Sequence, residues 1–417
     1  MIIADLHIHS RFSRACSKDI TIQNLEKYAK LKGLDLLGTG DFQHPEWNKE
    51  IKKELSEDGT GILRTKTGFP FMLQTEISLV YTKANKGRRV HFIVLCPDIE
   101  TSNQFVQELL KKGRIDYDGR PIFSWTTPEF LEIVNSINPM MEVIPAHAWT
   151  PWFGIFGSKS GFDSIEECAE EKARHIHAIE TGLSSDPEMN WRVSKLDNTA
   201  LVSFSDIHSH YPWRLGREAT VFETTLDYKS IINAIRDKKI LFTIETDPAY
   251  GKYHFDGHRA CKISFSPAES KKHNGICPVC RRELNIGVQH RVEELADRPE
   301  GFILKNAPRF VRLIPLSELI SAVYGTPVNS RATWKKYYDI INACGNEFNA
   351  LMNADEDSLA KACGEELAKV IIQSRKGEIK IKPGYDGEYG VLQIKSLARE
   401  DDTPKMRKYQ RGLDEFC

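Results

Sequence analysis

The sequence carries almost no net charge, with 57 Lys+Arg against 58 Asp+Glu. A global electrostatic pull on nucleic acid is therefore not written into the composition. Long apolar runs are missing too, so no membrane-spanning helix is expected, and no signal peptide is visible. These absences lead us to expect a soluble, cytoplasmic protein with no membrane partner. The nine cysteines form no regular framework of the kind that staples a secreted domain. At 417 residues the chain has room for roughly two to three domains and an ample core.

What is present is histidine and carboxylate at recurring positions. Met1-Ile-Ile-Ala-Asp-Leu-His-Ile-His-Ser10 places His7 and His9 one residue apart after an apolar run. Residues i and i+2 of a strand share a face, so both imidazoles can reach one point, and imidazole is a favoured ligand for divalent metals. Asp41, Glu76, His91 and His147 then accompany further short apolar segments, and Leu201-Val-Ser-Phe-Ser-Asp-Ile-His208 adds Asp206 and His208. Helical patterns lie between them, at 21–31, 128–136 and 166–174. Alternating helices and short strands predict a parallel α/β architecture, as a barrel whose strand ends converge on one mouth.

These motifs resemble the polymerase-and-histidinol-phosphatase (PHP) family over about residues 1–242. The resemblance implies a distorted (β/α)7 barrel that hydrolyses phosphate esters at two to three divalent metals (Zn, Mn or Mg). His7, His9, Glu76 and Asp206 would hold the first metal. Glu76 would bridge to a second on His91 and His147, and Asp41 with His208 would hold a third. Glu76, Asp206 and His147 are the expected catalytic centre. Two departures bear on the third site. Thr39-Gly-Asp41-Phe-Gln-His44 replaces the common Thr-Asp-His turn, and 11–16 offers no histidine. Carboxylate-bridged metals acidify water from ~15.7 to near neutrality and neutralise phosphoryl oxygens. No serine or cysteine nucleophile is then required, so Cys16, Cys96 and Cys168 are read as packing residues.

A second constellation follows. His258-x2-Cys261 and Cys277-x2-Cys280 have the spacing of a zinc ribbon or finger, with thiolates that select zinc. His254 and His290 compete for the fourth position; spacing favours His258. We expect one structural zinc in a module over 243–300. Basic residues around the knuckles could contact phosphates or simply be a solvated surface.

Residues 301–397 are patterned as helices, at 316–324, 331–343 and 347–376. Leu351 to Ile371 resembles a helix-hairpin-helix element, which holds a DNA phosphate on backbone N–H groups; an ordinary αα-hairpin fits equally. Directly after His147, Trp149, Trp152 and Phe153 could wall a pocket for an extruded base, or pack as a loop. In the segment 398–417, Gln410, Leu413 and Phe416 resemble a sliding-clamp-binding peptide, with Cys417 where a second aromatic is usual. An ordinary chain end is the competing reading.

This order of modules resembles the endonuclease Q family of archaeal and bacterial repair nucleases. The resemblance implies nicking of double-stranded DNA on the 5′ side of hypoxanthine, uracil, xanthine or an abasic site, leaving 3′-hydroxyl and 5′-phosphate ends. A sliding clamp would be the protein partner. Hypoxanthine and uracil share a carbonyl beside a ring N–H, so one donor and one acceptor would admit both and reject adenine and cytosine. A small-molecule phosphatase of the same barrel type and a non-catalytic DNA-binding adaptor are the competing functions.

Overall fold

The structure is a computed structural model and describes residues 1–394. Gln410, Leu413 and Phe416 lie outside the described residues. Among those residues, no helix is long and apolar enough to cross a membrane.

One mixed sheet organises the chain. The strand Ile2–Asp5 pairs in parallel with Leu36–Gly38, which pairs in parallel with Pro70–Lys83. On its other side, Ile2–Asp5 runs antiparallel to Ala219–Phe222, followed by Ile240–Glu245. Helix Ile22–Lys32 forms the first crossover, capped by the Thr21 side chain and ended at Gly33 in the left-handed region (φ 96°). Leu25 and Ala29 of this helix point into the core.

The sheet is less parallel than expected. Pro70–Lys83 and Lys86–Cys96 form a long antiparallel hairpin joined by Ala84 and Asn85, both at positive φ (51° and 59°). A two-residue turn with both residues in that region matches the strand twist, but Ala-Asn is not its usual sequence. Glu76 and His91 consequently sit inside strands, not at strand ends. The strand Glu142–Pro145 extends this hairpin antiparallel. From there hydrogen bonds lead back to the first strand. Ala148 N–H donates to Glu180 O (2.9 Å), Ala178–Glu180 pairs with Ala200–Val202, and His9 N–H donates to Ile207 O (3.2 Å).

The boundary expected at 242 falls within a strand, for Ile240–Glu245 runs on to pair in parallel with Arg309–Arg312. The helical run expected at 166–174 is Ile165–Ala169 followed by a 3-10 turn, because Glu170 leaves α geometry (φ 52°). Likewise 347–376 divides into Glu347–Met352, Glu356–Cys363 and Glu365–Arg375. Asp355 caps the second of these, and Gly364 (φ 88°) alone joins it to the third. The helical part is pinned to the first helix by a buried ion pair, Lys32 Nζ to Glu347 Oε1 at 2.7 Å. A hairpin of Lys380–Lys382 and Val391–Gln393 returns to residues 249–257, where Gly384 O accepts from Phe255 N–H (3.0 Å).

Candidate metal centre

Residues remote in sequence meet around Glu76, whose side chain is wholly buried. One ligand atom each from His7, His9, Glu76 and Asp206 lies within 4.8 Å of the others, and the same holds for Glu76, His91 and His147. Glu76 belongs to both groups and divides its oxygens between them. Its Oε2 lies 3.1 Å from His9 Nε2 and 3.6 Å from His7 Nε2. Its Oε1 lies 2.8 Å from His91 Nδ1 and 3.2 Å from His147 Nε2. The hairpin explains the second set. Glu76 faces Ile93 and Ser78 faces His91, which makes Glu76 and His91 diagonal neighbours on one face.

The first set is poised for a cation. His7 Nε2, His9 Nε2 and Asp206 Oδ1 are buried and have no hydrogen-bond partner among the described residues. Such orphans are costly unless something else satisfies them. The opposite ring nitrogens are engaged, His7 Nδ1 with Glu180 Oε1 (2.9 Å) and His9 Nδ1 with Asp41 Oδ1 (3.0 Å). In the neutral ring, with Nδ1–H donating to a carboxylate, each Nε2 would turn its lone pair toward a bound cation, which takes the place of the proton there. Asp41, His147 and Asp206 adopt positive φ (37°, 31° and 47°). Non-glycine residues hold that conformation at a cost, and such strain gathers at functional sites.

Electrostatics follow from burial among opposite charges. Burial opposes charge on His7, yet Glu180, Asp206 and Glu76 hold its pKa well above the ordinary value. Burial likewise opposes charge on Glu76, but the cations Arg120 and His7 and the hydrogen bond from His147 hold it well below the usual carboxylate range. His91 and His208 behave differently: burial dominates and lowers them to about 3 and about 4, which favours neutral imidazole.

Asp41 and His208 join neither cluster. Asp41 instead accepts from Ser10 N–H (2.7 Å) and Ser13 Oγ (2.9 Å) while holding His9. The His208 ring lies 5.0 Å from that of His9, at the rim. The aromatic wall needs correction at Trp149, which is buried and donates from Nε1 to Asn190 Oδ1 (2.8 Å). Its face cannot receive a base. Phe153 stacks on His91 at 4.2 Å, and Trp152 is 45% exposed. Two partners were not singled out from the sequence. Glu180 orients His7 and also accepts from His147 N–H (2.6 Å), while Arg120 Nη1 lies 3.2 Å from Glu76 Oε2. Glu180 ends a strand, the kind of position the sequence pattern pointed to for ligands; Arg120 has no local signal.

The second constellation is also assembled. His258, Cys261, Cys277 and Cys280 lie within 4.8 Å of one another by their ligand atoms. His290 is instead paired with Asp256 Oδ2 (2.6 Å), and His254 stacks on Phe255. Burial raises the Cys277 thiol, but the backbone N–H groups of Cys280 and Val279 and the neighbouring thiols outweigh it and bring it down to about 6. A thiol lowered in this way is close to the thiolate that binds metal.

Comparison with known proteins places this architecture. The family model described as the MJ0043 C-terminal domain matches residues 315–378. MJ0043 of Methanocaldococcus jannaschii is 37% identical over 302 residues, covering 70% of this chain. The chain spans only 36% of that relative's length. YqxK of Bacillus subtilis is 29% identical over 94% of this chain and 99% of its own. The crystal structure of the lesion-specific endonuclease PfuEndoQ from Pyrococcus furiosus superposes with a TM-score of 0.84 at 31% identity, covering 94% of this chain and 95% of that one. Endonuclease Q in complex with a 27-mer duplex substrate with an abasic lesion at the active site gives 0.85 at 32% identity, covering 94% and 96%. With more than 30% identity across nearly the whole of both chains, the protein belongs to the endonuclease Q family.

Proposed function

We propose that this protein is a metal-dependent DNA repair endonuclease. It hydrolyses the phosphodiester 5′ to hypoxanthine, uracil, xanthine or an abasic site and leaves 3′-hydroxyl and 5′-phosphate ends. The observation that carries this reading is Glu76, one buried carboxylate shared by two clusters of candidate ligands. Membership of a family that includes a lesion-specific nuclease and a complex with abasic duplex supports the substrate class. On this reading the curled sheet is a PHP-type barrel, the cysteine cluster holds structural zinc, and the helical part from 301 binds DNA.

The residues present fit divalent metals, because buried imidazole nitrogens and a carboxylate oxygen converge without partners. His7, His9, Glu76 and Asp206 would hold one ion, and Glu76, His91 and His147 a second. Bound ions would supply Lewis acidity at the phosphoryl oxygens and acidify the attacking water. Glu180 and Asp41 keep His7 and His9 in the ligating tautomer. Phe153 covers one face of His91 and limits water there. Trp152, beside Phe153 and exposed, is the remaining aromatic for an extruded base. Asp41 serves better as an orienting partner than as a ligand of a third metal, since three groups already occupy its oxygens. The segment Gln410 to Phe416 would engage a sliding clamp.

The test uses one end-labelled duplex, with and without a single hypoxanthine or abasic site. Nicking only of the lesion strand, with loss of activity in Glu76→Ala while duplex binding survives, is expected. Cleavage of p-nitrophenyl phosphate without nicking would indicate a phosphatase. Binding without either reaction would indicate an adaptor.

A further inference from the structure

We infer that Arg120 is a catalytic residue that grips the scissile phosphate, an assignment that rests on the phosphodiesterase reading above. Arg120 meets Glu76, the carboxylate common to both clusters, through Nη1 at 3.2 Å. Glu76 is fully buried, whereas the Arg120 side chain is 26% exposed. Arg120 thus lies on the solvent side of Glu76, beside the partly exposed Asp206, where a substrate phosphate can arrive.

Its backbone is held in place. Asp118 Oδ1 accepts from the N–H groups of Arg120 (3.0 Å) and Arg14 (3.3 Å). Gly119 N–H donates to Phe12 O (3.2 Å), and Gln43 Nε2 donates to Gly119 O (2.5 Å). Position 119 must be glycine, for any Cβ there would collide with the Asp41 carboxylate and Ser13 Oγ. The loop is therefore fastened to Phe12, Arg14 and Gln43 and packed directly against Asp41 and Ser13, which orient His9, a rigid support of the kind a catalytic group needs.

The donors are mostly unspent. Among the described residues only Nη1 has a protein acceptor, which leaves Nε and Nη2 available. A guanidinium fork matches two oxygens of a phosphodiester, as an ammonium does not. Cations beside Glu76 would also offset the attraction that holds Arg120 to that carboxylate, freeing the fork for an incoming anion. As the phosphorus becomes five-coordinate, negative charge grows on the non-bridging oxygens, and a preplaced cation stabilises it.

The rival role is a counter-charge that only steadies Glu76. Arg120→Ala and Arg120→Lys in the full chain separate the two, with metal content measured on each. We expect Arg120→Ala to lower kcat on an abasic duplex by about 10²–10³-fold at saturating metal. Arg120→Lys should fall between, with bound metal unchanged in both. Inhibition by inorganic phosphate should weaken about tenfold or more in Arg120→Ala, the loss of one charged contact. Unchanged kcat, recovery in excess metal or unchanged phosphate inhibition would each overturn the assignment. If Arg120→Ala fails to fold, the same readouts on Arg120→Lys decide. If the parent does not nick DNA, the function proposal falls, and calorimetric phosphate binding to metal-loaded parent and variant still tests Arg120.

Discussion

His9 Nδ1 and Asp41 Oδ1 lie 3.0 Å apart, and the second Asp41 oxygen accepts from Ser10 N–H and Ser13 Oγ. This carboxylate therefore fixes the direction of an imidazole whose free Nε2 faces Glu76. Asp41→Asn should weaken metal binding about 10–100-fold, as loss of an outer partner does, without deleting a site. Chelator competition on the purified variant measures this. Loss of a full metal equivalent, with the rest bound as tightly as before, would instead make Asp41 a ligand.

Cys277→Ser removes the thiol that its neighbours lower to about 6. One tightly held zinc should leave with it, and 251–298 should become sensitive to protease, since such short polar segments fold around their metal. Atomic absorption and limited proteolysis report both effects. Zinc content equal to the parent's would mean that the four residues meet without binding it.

Glu245 supplies a pH test at a carboxyl that belongs to neither metal cluster. Burial raises its carboxyl from 4.5 to about 8. Between these values the unfolded chain releases a proton that the native state keeps, so stability falls as pH rises from 4.5 to 8 and then levels. Glu245→Gln can still accept from Thr181 Oγ1 and Ser203 Oγ, but has no charge to bury. Its Tm relative to the parent should climb from pH 5 to pH 8 and stay flat above. A constant difference across that range would show that Glu245 is not held protonated.

The His-x-His pair and the cysteine knuckles were legible because their residues are close in sequence and share a strand face or a turn. The helical patterns at 21–31 and 128–136 were legible from local periodicity, and the structure caps these helices with Thr21 and Thr126. The hairpin around Ala84 and Asn85 was hidden, because Ala84 stands at positive φ where Asn, Asp or Gly would have signalled the turn. Glu180 was hidden for another reason. Its bond to His7 spans 173 positions, and no local pattern encodes a contact made only when distant strands close together. Trp149 shows the converse: an aromatic beside a ligand looks available in sequence, and only packing reveals that its face is buried.

Gln410, Leu413 and Phe416 fall outside the described residues, so the clamp reading stands on their spacing. Glutamine, aliphatic and aromatic at i, i+3 and i+6 share one side of a tight turn, which suits an apolar groove with a polar edge. Phe416 supplies the one large aromatic plug and should carry most of the binding energy. Binding through such a peptide would raise the enzyme's local concentration on clamp-loaded DNA without altering the metal clusters. Leu413→Ala with Phe416→Ala should accordingly abolish clamp binding and clamp stimulation, yet leave nicking of short duplexes within about twofold. Surface plasmon resonance against immobilised clamp and a nicking assay without clamp give the two readouts. Clamp affinity equal to the parent's would remove the peptide from the function, whereas loss of basal nicking would place the segment on the DNA path instead.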